Sequence, residues 1–336
     1  MTASFARAAV LVFGALLAGG CAHRSALIAP ALVAPAQSVV ELTDTPFFPQ
    51  RDYQCGPAAL ATVLAASGVH VTADDLVGRV YLPGRKGSLQ PELLATSRSF
   101  DRLPYVLEPA LPALLTEVTA GHPVLVLQNY GLESVPFWHY AVVVGFDAAR
   151  DRIVLRSGTE ERLEMSARRF LGTWERADHW AIAVLPPGVL PASVQRERFL
   201  EAASGLEATH RHDAAAEAYA AALRRWPDDT TALLGIGNVK YAAGDLPGAE
   251  AAYREVLRID ATHAVARNNL AQTLLDRGDP RAALEEIAAA RASLTDQRLA
   301  PLLEQTEQSI RQSLAVSSPS PQPSPASGRG DQTPPQ

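Results

Sequence analysis

From about residue 196 onward the chain repeats at a period of 34 residues. Ala215, Ala249 and Ala283 fall on that spacing; so do Tyr219, Tyr253 and Ile287, and so do Gly244 and Gly278. A small residue lets two helices approach closely, the bulky residue four positions later fills the gap between them, and the glycine turns the chain. Each period therefore reads as one helical hairpin. A lone hairpin cannot bury its apolar face, so this periodicity commits the segment to stacked hairpins, an all-α solenoid. Pro227 sits where a helix must end.

Small, large and turn positions agreeing in one register resemble tetratricopeptide repeats, about three of them over residues 196–313, the first being the most degenerate. The resemblance implies a surface for a protein partner or for an extended part of a substrate. The tail that follows, 314–336, contains "SSPSPQPSPASGRGDQTPPQ", too poor in apolar side chains to offset its ordering entropy, and is expected to be disordered.

The rest of the chain has a different texture. With 336 residues, two domains and flanking segments are expected. A formal charge of −6 offers no basic surface for nucleic acid, so nucleic-acid partners are disfavoured. Residues 1–21 open with Arg7 as the only charge, continue as an apolar run from Ala8 to Leu17 and end in "LLAGGC". The run is too short to span a bilayer and reads as a secretory signal. Small residues directly before Cys21 resemble the lipobox of bacterial lipoproteins, with Ala18 where leucine is usual. That resemblance implies lipidation at Cys21 and, with Ala22 rather than aspartate next, an outer-membrane anchor facing the periplasm. Residues 22–40, rich in alanine and proline, are expected to be a tether.

Between 41 and 187 the helical pattern "PAALATVLAASG" stops at Gly68, and "VTADDLVGRVY" starts with Thr72 as N-cap and Asp75 returning the bond. Then come the short apolar runs "PVLVLQNY", "WHYAVVVGFD", "RIVLRSG" and "HWAIAVLPP", bounded by Gly, Pro and Asp as strands are. Helices followed by strands predict an α+β domain with a largely antiparallel sheet.

Lipidation would consume one of the chain's 2 cysteines and leave Cys55 a lone thiol in an oxidising compartment, a hazard unless it is buried or useful. Cys55 heads the helix pattern, where unpaired N–H groups and the positive dipole end stabilise a thiolate. Pro57 suits the first turn, having no N–H to leave unpaired. Gly56 permits close approach of a substrate backbone, and Gln54 carries an NH₂ suited to an oxyanion hole shared with the Cys55 N–H. A thiol nucleophile needs a histidine. Of His70, His122, His139 and His179, His139 is best placed, because it opens a strand whose apolar residues anchor the backbone beside a cleft. "FFPQ" and Trp138 suit a cleft lining, although aromatic residues beside apolar strands usually belong to the core. With one thiol and no paired metal-ligand spacing, neither a metal nor a cofactor is expected.

"YQCGPAAL" followed by "WHYAVVVGFD" resembles the papain-like cysteine peptidases that remove double-glycine leaders from bacteriocins, specifically the stand-alone, lipoprotein-borne branch fused to tetratricopeptide repeats. The resemblance covers residues 41–187. It implies a papain-like α+β fold, with Cys55 as nucleophile, His139 as general base and acid, and Gln54 in the oxyanion hole. Where that family usually has Asp-Pro, this chain has Ser157-Gly158, which puts Ser157 in the third position. A hydroxyl orients an imidazole through a neutral hydrogen bond and lacks the charge that stabilises an imidazolium. Three readings follow: a membrane-anchored periplasmic cysteine peptidase, whose chemistry also suits acyl transfer to an amine; a peptide-binding module on a weakened or inactive peptidase fold; and a scaffold in which the repeats are the function.

Overall fold

The helix that begins at Cys55 is apolar on every side, and a helix without a polar face has to be surrounded. In the computed structural model, which describes residues 26–32 and 38–317, helix α1 (Cys55–Ala66) is buried continuously from Gly56 to Leu64. The signal segment, Cys21 and the tail from 318 onward lie outside the described residues. Two units divide at Ala202/Ala203.

In the first unit α1 is followed by α2 (Ala73–Val80), α3 (Gln90–Ser99) and α4 (Leu111–Thr119), with α5 (Ala167–Glu175) inserted late. Gly68, at φ +87°, turns the chain after α1 in the left-handed conformation that glycine tolerates. The cap of α2 forms as expected: Thr72 donates to Asp75 Oδ2 from its main-chain N–H at 2.8 Å and from its hydroxyl at 2.7 Å. One seven-stranded sheet carries β1 (Val39–Glu41), β2 (Leu103–Val106), β3 (Val124–Asn129), β4 (Trp138–Asp147), β5 (Arg152–Ser157), β6 (Glu160–Ser166) and β7 (Ala181–Leu185). The order is β2-β7-β3-β4-β5-β6, with β1 also on β4, and every pairing is antiparallel. Leu60, Val63 and Leu64 of α1 share one core cluster with Leu125, Tyr140, Val142 and Ile182 of the sheet. The α+β expectation therefore holds, with helix α5 interleaved among the strands rather than preceding them.

The described residues of the segment 22–40, 26–32 and 38–40, depart from a free tether. Ile28 is fully buried, and Asp151 Oδ1 accepts from the main-chain N–H groups of Leu27 at 2.9 Å and Ile28 at 3.0 Å. Val39 and Val40 already belong to β1, which lies so close to β4 that a side chain at Gly145 would meet the Val40 carbonyl. Among the described residues of this segment, Ala29–Ala31 forms one 3-10 turn with Pro30 in its first positions, where a missing N–H costs nothing.

The second unit contains the helices α6 (Arg196–Ala208), α7 (His212–Arg225), α8 (Thr230–Ala242), α9 (Leu246–Ile259), α10 (Ala264–Asp276), α11 (Pro280–Ala292) and α12 (Ala300–Ser317), the first of which starts just before the division. Ala215, Ala249, Ala283 and Ile287 are fully buried, and Tyr219 and Tyr253 nearly so. Gly244 and Gly278 adopt positive φ in the turns. The Tyr219 and Tyr253 rings rest on Gly235 and Gly237 of α8, where a methyl group would collide with them.

Candidate active site

Cys55 is a free, partly buried thiol in the first turn of α1. Its hydrogen-bond neighbours are main-chain N–H groups: its own, that of Gly56, and that of Tyr140, the residue after His139. Burial pushes the thiol up from its ordinary value, and these three donors pull the other way without cancelling it. The space beside Gly56 is occupied by the Ser88 side chain, so this glycine admits a neighbouring loop rather than a substrate backbone.

His139, in β4, is buried, and its Nε2 lies 2.8 Å from Ser157 Oγ at the end of β5. The ring stacks on Tyr130, with centroids 5.1 Å apart at 25°. Burial holds the imidazole down to about 4, so at neutral pH it is uncharged, the state of a base ready to accept a proton. His139 and Ser157 thus meet as the resemblance implies; Ser157 lines the same cavity as the thiol, and the N–H at the sulfur belongs to Tyr140, the residue after His139.

That cavity is tight, about 10 Å³, and is lined by Phe47, Phe48, Gln50, Cys55, Arg156 and Ser157 among others. Gln54 lines not this cavity but an adjoining cleft of about 310 Å³, with Arg51 and Asp74, a cleft that Gln50 lines as well. Of the two glutamines, Gln50 is the one that lines the thiol's cavity. Its main-chain N–H donates to Gly158 O at 3.0 Å, and its Oε1 is buried without a partner. Because the terminal torsion of a glutamine is broad and two-fold, this amide can turn its NH₂ toward a developing oxyanion. The buried Arg156 guanidinium holds the segment in place, donating to the carbonyls of Thr43 and Thr45. Sequence reasoning passed over Gln50 because it precedes the helix; its place in "FFPQ", a stretch already suspected of lining a cleft, was the available signal.

Trp138 is 51% exposed, against the core placement usual for such an aromatic. The ladder to β5 starts at Val142, leaving the first residues of β4 covered on one edge only. His70 and His179 have no contact with a residue of this cavity comparable to that of His139 with Ser157, and His122 is engaged elsewhere, its Nδ1 2.7 Å from Glu117 Oε2.

A thiol in the first turn of a helix shares one cavity with Ser157 and Gln50, and a neutral buried imidazole rests on that serine, the groups that thiol-nucleophile chemistry uses. Residues 42–182 match the model of the Peptidase_C39 like family, and residues 200–264 and 240–305 match two tetratricopeptide-repeat models. The chain therefore carries a Peptidase_C39-like domain followed by tetratricopeptide repeats. No curated protein sequence matches it significantly. Similar solved structures include a Bacillus anthracis protein described as a C39-like peptidase (17% identity, 44% of this chain and 97% of that one, TM-score 0.38). Others are the Yersinia enterocolitica chaperone SycD with a YopD peptide (18%, 34% and 92%, 0.33) and the TPR2B domain of yeast Sti1 in its pHsp70 complex (18%, 35% and 96%, 0.33).

In the second unit a cavity of about 360 Å³ is lined by uncharged side chains, among them Asn238, Tyr253, Asn268, Asn269 and Gln272. Asn238 Oδ1 accepts from Tyr253 and from Asn269, each at 3.0 Å, so the amides hold one another in place.

Proposed function

We propose that this chain is a cysteine peptidase, lipid-anchored through Cys21 to the outer membrane and facing the periplasm, whose repeats bind a protein partner or an extended part of the substrate. The observation that carries the reading is the single cavity shared by Cys55, Ser157 and Gln50, with His139 on Ser157. Cys55 Sγ attacks the peptide carbonyl as its proton passes to His139. The oxyanion is held by main-chain N–H groups of the first helical turn and by Gln50. The imidazolium then protonates the leaving amine, and water, deprotonated by the same ring, releases the acyl group. With a raised thiol and a depressed imidazole, proton transfer accompanies attack instead of preceding it.

The same two shifts, together with hydroxyl in place of carboxylate at 157, favour a second reading, a peptide-binding module that retains the cleft. The full chain and Cys55→Ala, incubated with an acyl-trapping probe and a peptide library, separate the two by mass spectrometry. Cys55-dependent adducts and fragments are expected of the peptidase. Peptides retained equally by both proteins, with neither adduct nor fragment, identify the binder. Labelling with palmitate in cells, abolished by Cys21→Ala, is the expected sign of the anchor.

A further inference from the structure

One side chain organises the loop between β3 and β4. Asn129, the last residue of β3 and almost fully buried, accepts at Oδ1 from the main-chain N–H groups of Gly131 and Phe137, each at 2.9 Å, and donates from Nδ2 to Leu132 O at 3.4 Å. Arg176 clamps the same residue, donating twice to the Asn129 carbonyl, at 2.9 and 3.2 Å. Across the loop, Tyr130 donates its N–H to Phe137 O at 2.9 Å, and Leu132 and Val135 exchange both main-chain bonds at 3.2 Å. These bonds set the loop's shape before any ligand arrives. The shape displays apolar side chains: Leu132, Val135 and Phe137 are 70%, 71% and 63% exposed, and Trp138 adjoins them. Exposed apolar residues scattered singly are ordinary, whereas four within seven residues on a braced loop mark a contact surface.

The loop begins and ends at the candidate active site. At its start the Tyr130 ring stacks on His139, with centroids 5.1 Å apart; at its end Trp138 immediately precedes that histidine. Tyr140 lines the thiol's cavity and packs with α1, and the alternation of a strand puts Trp138, two residues earlier and about 7 Å away along β4, on the same face. Beside Trp138 one edge of β4 is uncovered, since β5 pairs only from Val142 onward. That leaves room for a peptide next to the thiol. A bilayer suits the loop less well, because its turn is Glu133-Ser134, both polar and exposed. The N-terminal segment, moreover, docks at Asp151, beyond the opposite end of β4, a strand of 10 residues and so about 30 Å long. We propose that the loop Leu132–Trp138 determines specificity, receiving a large apolar side chain of a peptide bound beside Cys55. Leu132, Val135 and Phe137 select by burying that side chain, and Asn129 is the positioning residue that presents them.

The role of this surface rests on the peptidase reading, yet peptide selection can be measured without cleavage. The full chain carrying Cys21→Ala and Cys55→Ala, unlipidated and unable to form an acyl adduct, is offered a library of random decapeptides, and the retained peptides are read by mass spectrometry. Peptides with Phe, Leu or Trp should be enriched about tenfold over those with Ser, Gln or Glu in the same position, the factor that half-burying one large apolar side chain supplies. Leu132→Ser, Val135→Ser and Phe137→Ser together should abolish the enrichment without lowering the melting temperature, because all three side chains are exposed. Val135→Leu with Phe137→Leu, which keeps the surface apolar, should retain it. Enrichment that never appears, or that the three serines leave unmoved, overturns the proposal. So does sedimentation of the chain with phosphatidylethanolamine–phosphatidylglycerol vesicles that the serines abolish, a result that assigns the loop to a bilayer. Apolar selection by a chain whose native form cleaves nothing supports the loop and overturns the peptidase, while cleavage indifferent to apolar residues supports the peptidase and overturns the loop.

Discussion

Replacing Ser157 by aspartate measures what the hydroxyl withholds. The Ser157 oxygen is 2.8 Å from His139 Nε2, and burial has already brought the imidazole to about 4. A carboxylate whose charge centre lies about 4 Å from that of the ring is worth about 4 kcal/mol at an effective dielectric of about 20, or about three pKa units. Position 157 is itself nearly buried, so about half of this is spent on desolvating the new charge, leaving a rise of about one to two units. The ring should then titrate between about 5 and about 6. The assay is the second-order alkylation rate of Cys55 by iodoacetamide from about pH 4 to about pH 10, spanning both ordinary pKa values. In the native chain the rate should climb only on the alkaline side, following a thiol raised by burial. Ser157→Asp should add an acidic shoulder in which thiolate and imidazolium coexist, and His139→Gln should remove it. Superimposable profiles for the native chain and Ser157→Asp would show that residue 157 does not govern the ring and would refute the reasoning.

Gln50→Ala should lower kcat about 10²- to 10³-fold with KM little changed, as loss of an oxyanion donor does, while Gln54→Ala, on the adjoining cleft, should cost far less; steady-state kinetics on a cleaved peptide separates them. His139 binds its proton more weakly folded, at about 4, than unfolded, at 6.5, so its contribution is complete above 6.5 and is lost as pH falls toward 4. That loss amounts to about 3 kcal/mol, and His139→Gln should flatten this part of a denaturant-derived stability profile. Gly235→Ala drives a methyl group into the Tyr219 ring and should destabilise the repeat unit by about 1–3 kcal/mol, read as a lowered melting transition.

The elements legible in the sequence were those whose burial is uniform. The run headed by Cys55 and the four apolar strands read correctly because burial on both faces leaves an unbroken apolar string. Strand β6, "EERLEMS", was not read, being an edge strand whose charged, mostly exposed residues look like a loop. Strand β1 is too short to show alternation, and Pro104 disguises β2. Of the candidate site, Cys55 was visible from its place at the head of a helix pattern and His139 from its place at the head of a strand, whereas Ser157 was reached only through the family resemblance. Gln50 and Tyr130 lie outside the helices and strands, where no period betrays them. Gln128 had left a clue: an amide inside "PVLVLQNY" is a polar group in an apolar strand, and such a group needs a partner, here Thr173.

The docking of Leu27 and Ile28 on Asp151 has a consequence for reach. Only six peptide units separate Cys21 from Leu27, and even fully extended they span about 20 Å. With a lipid on Cys21, the peptidase domain is moored by a short leash instead of drifting on the long one that the alanine- and proline-rich composition suggests. A substrate would then have to come to the bilayer surface, and membrane-bound or membrane-emerging peptides would meet this thiol at far higher local concentration than peptides free in the surrounding compartment.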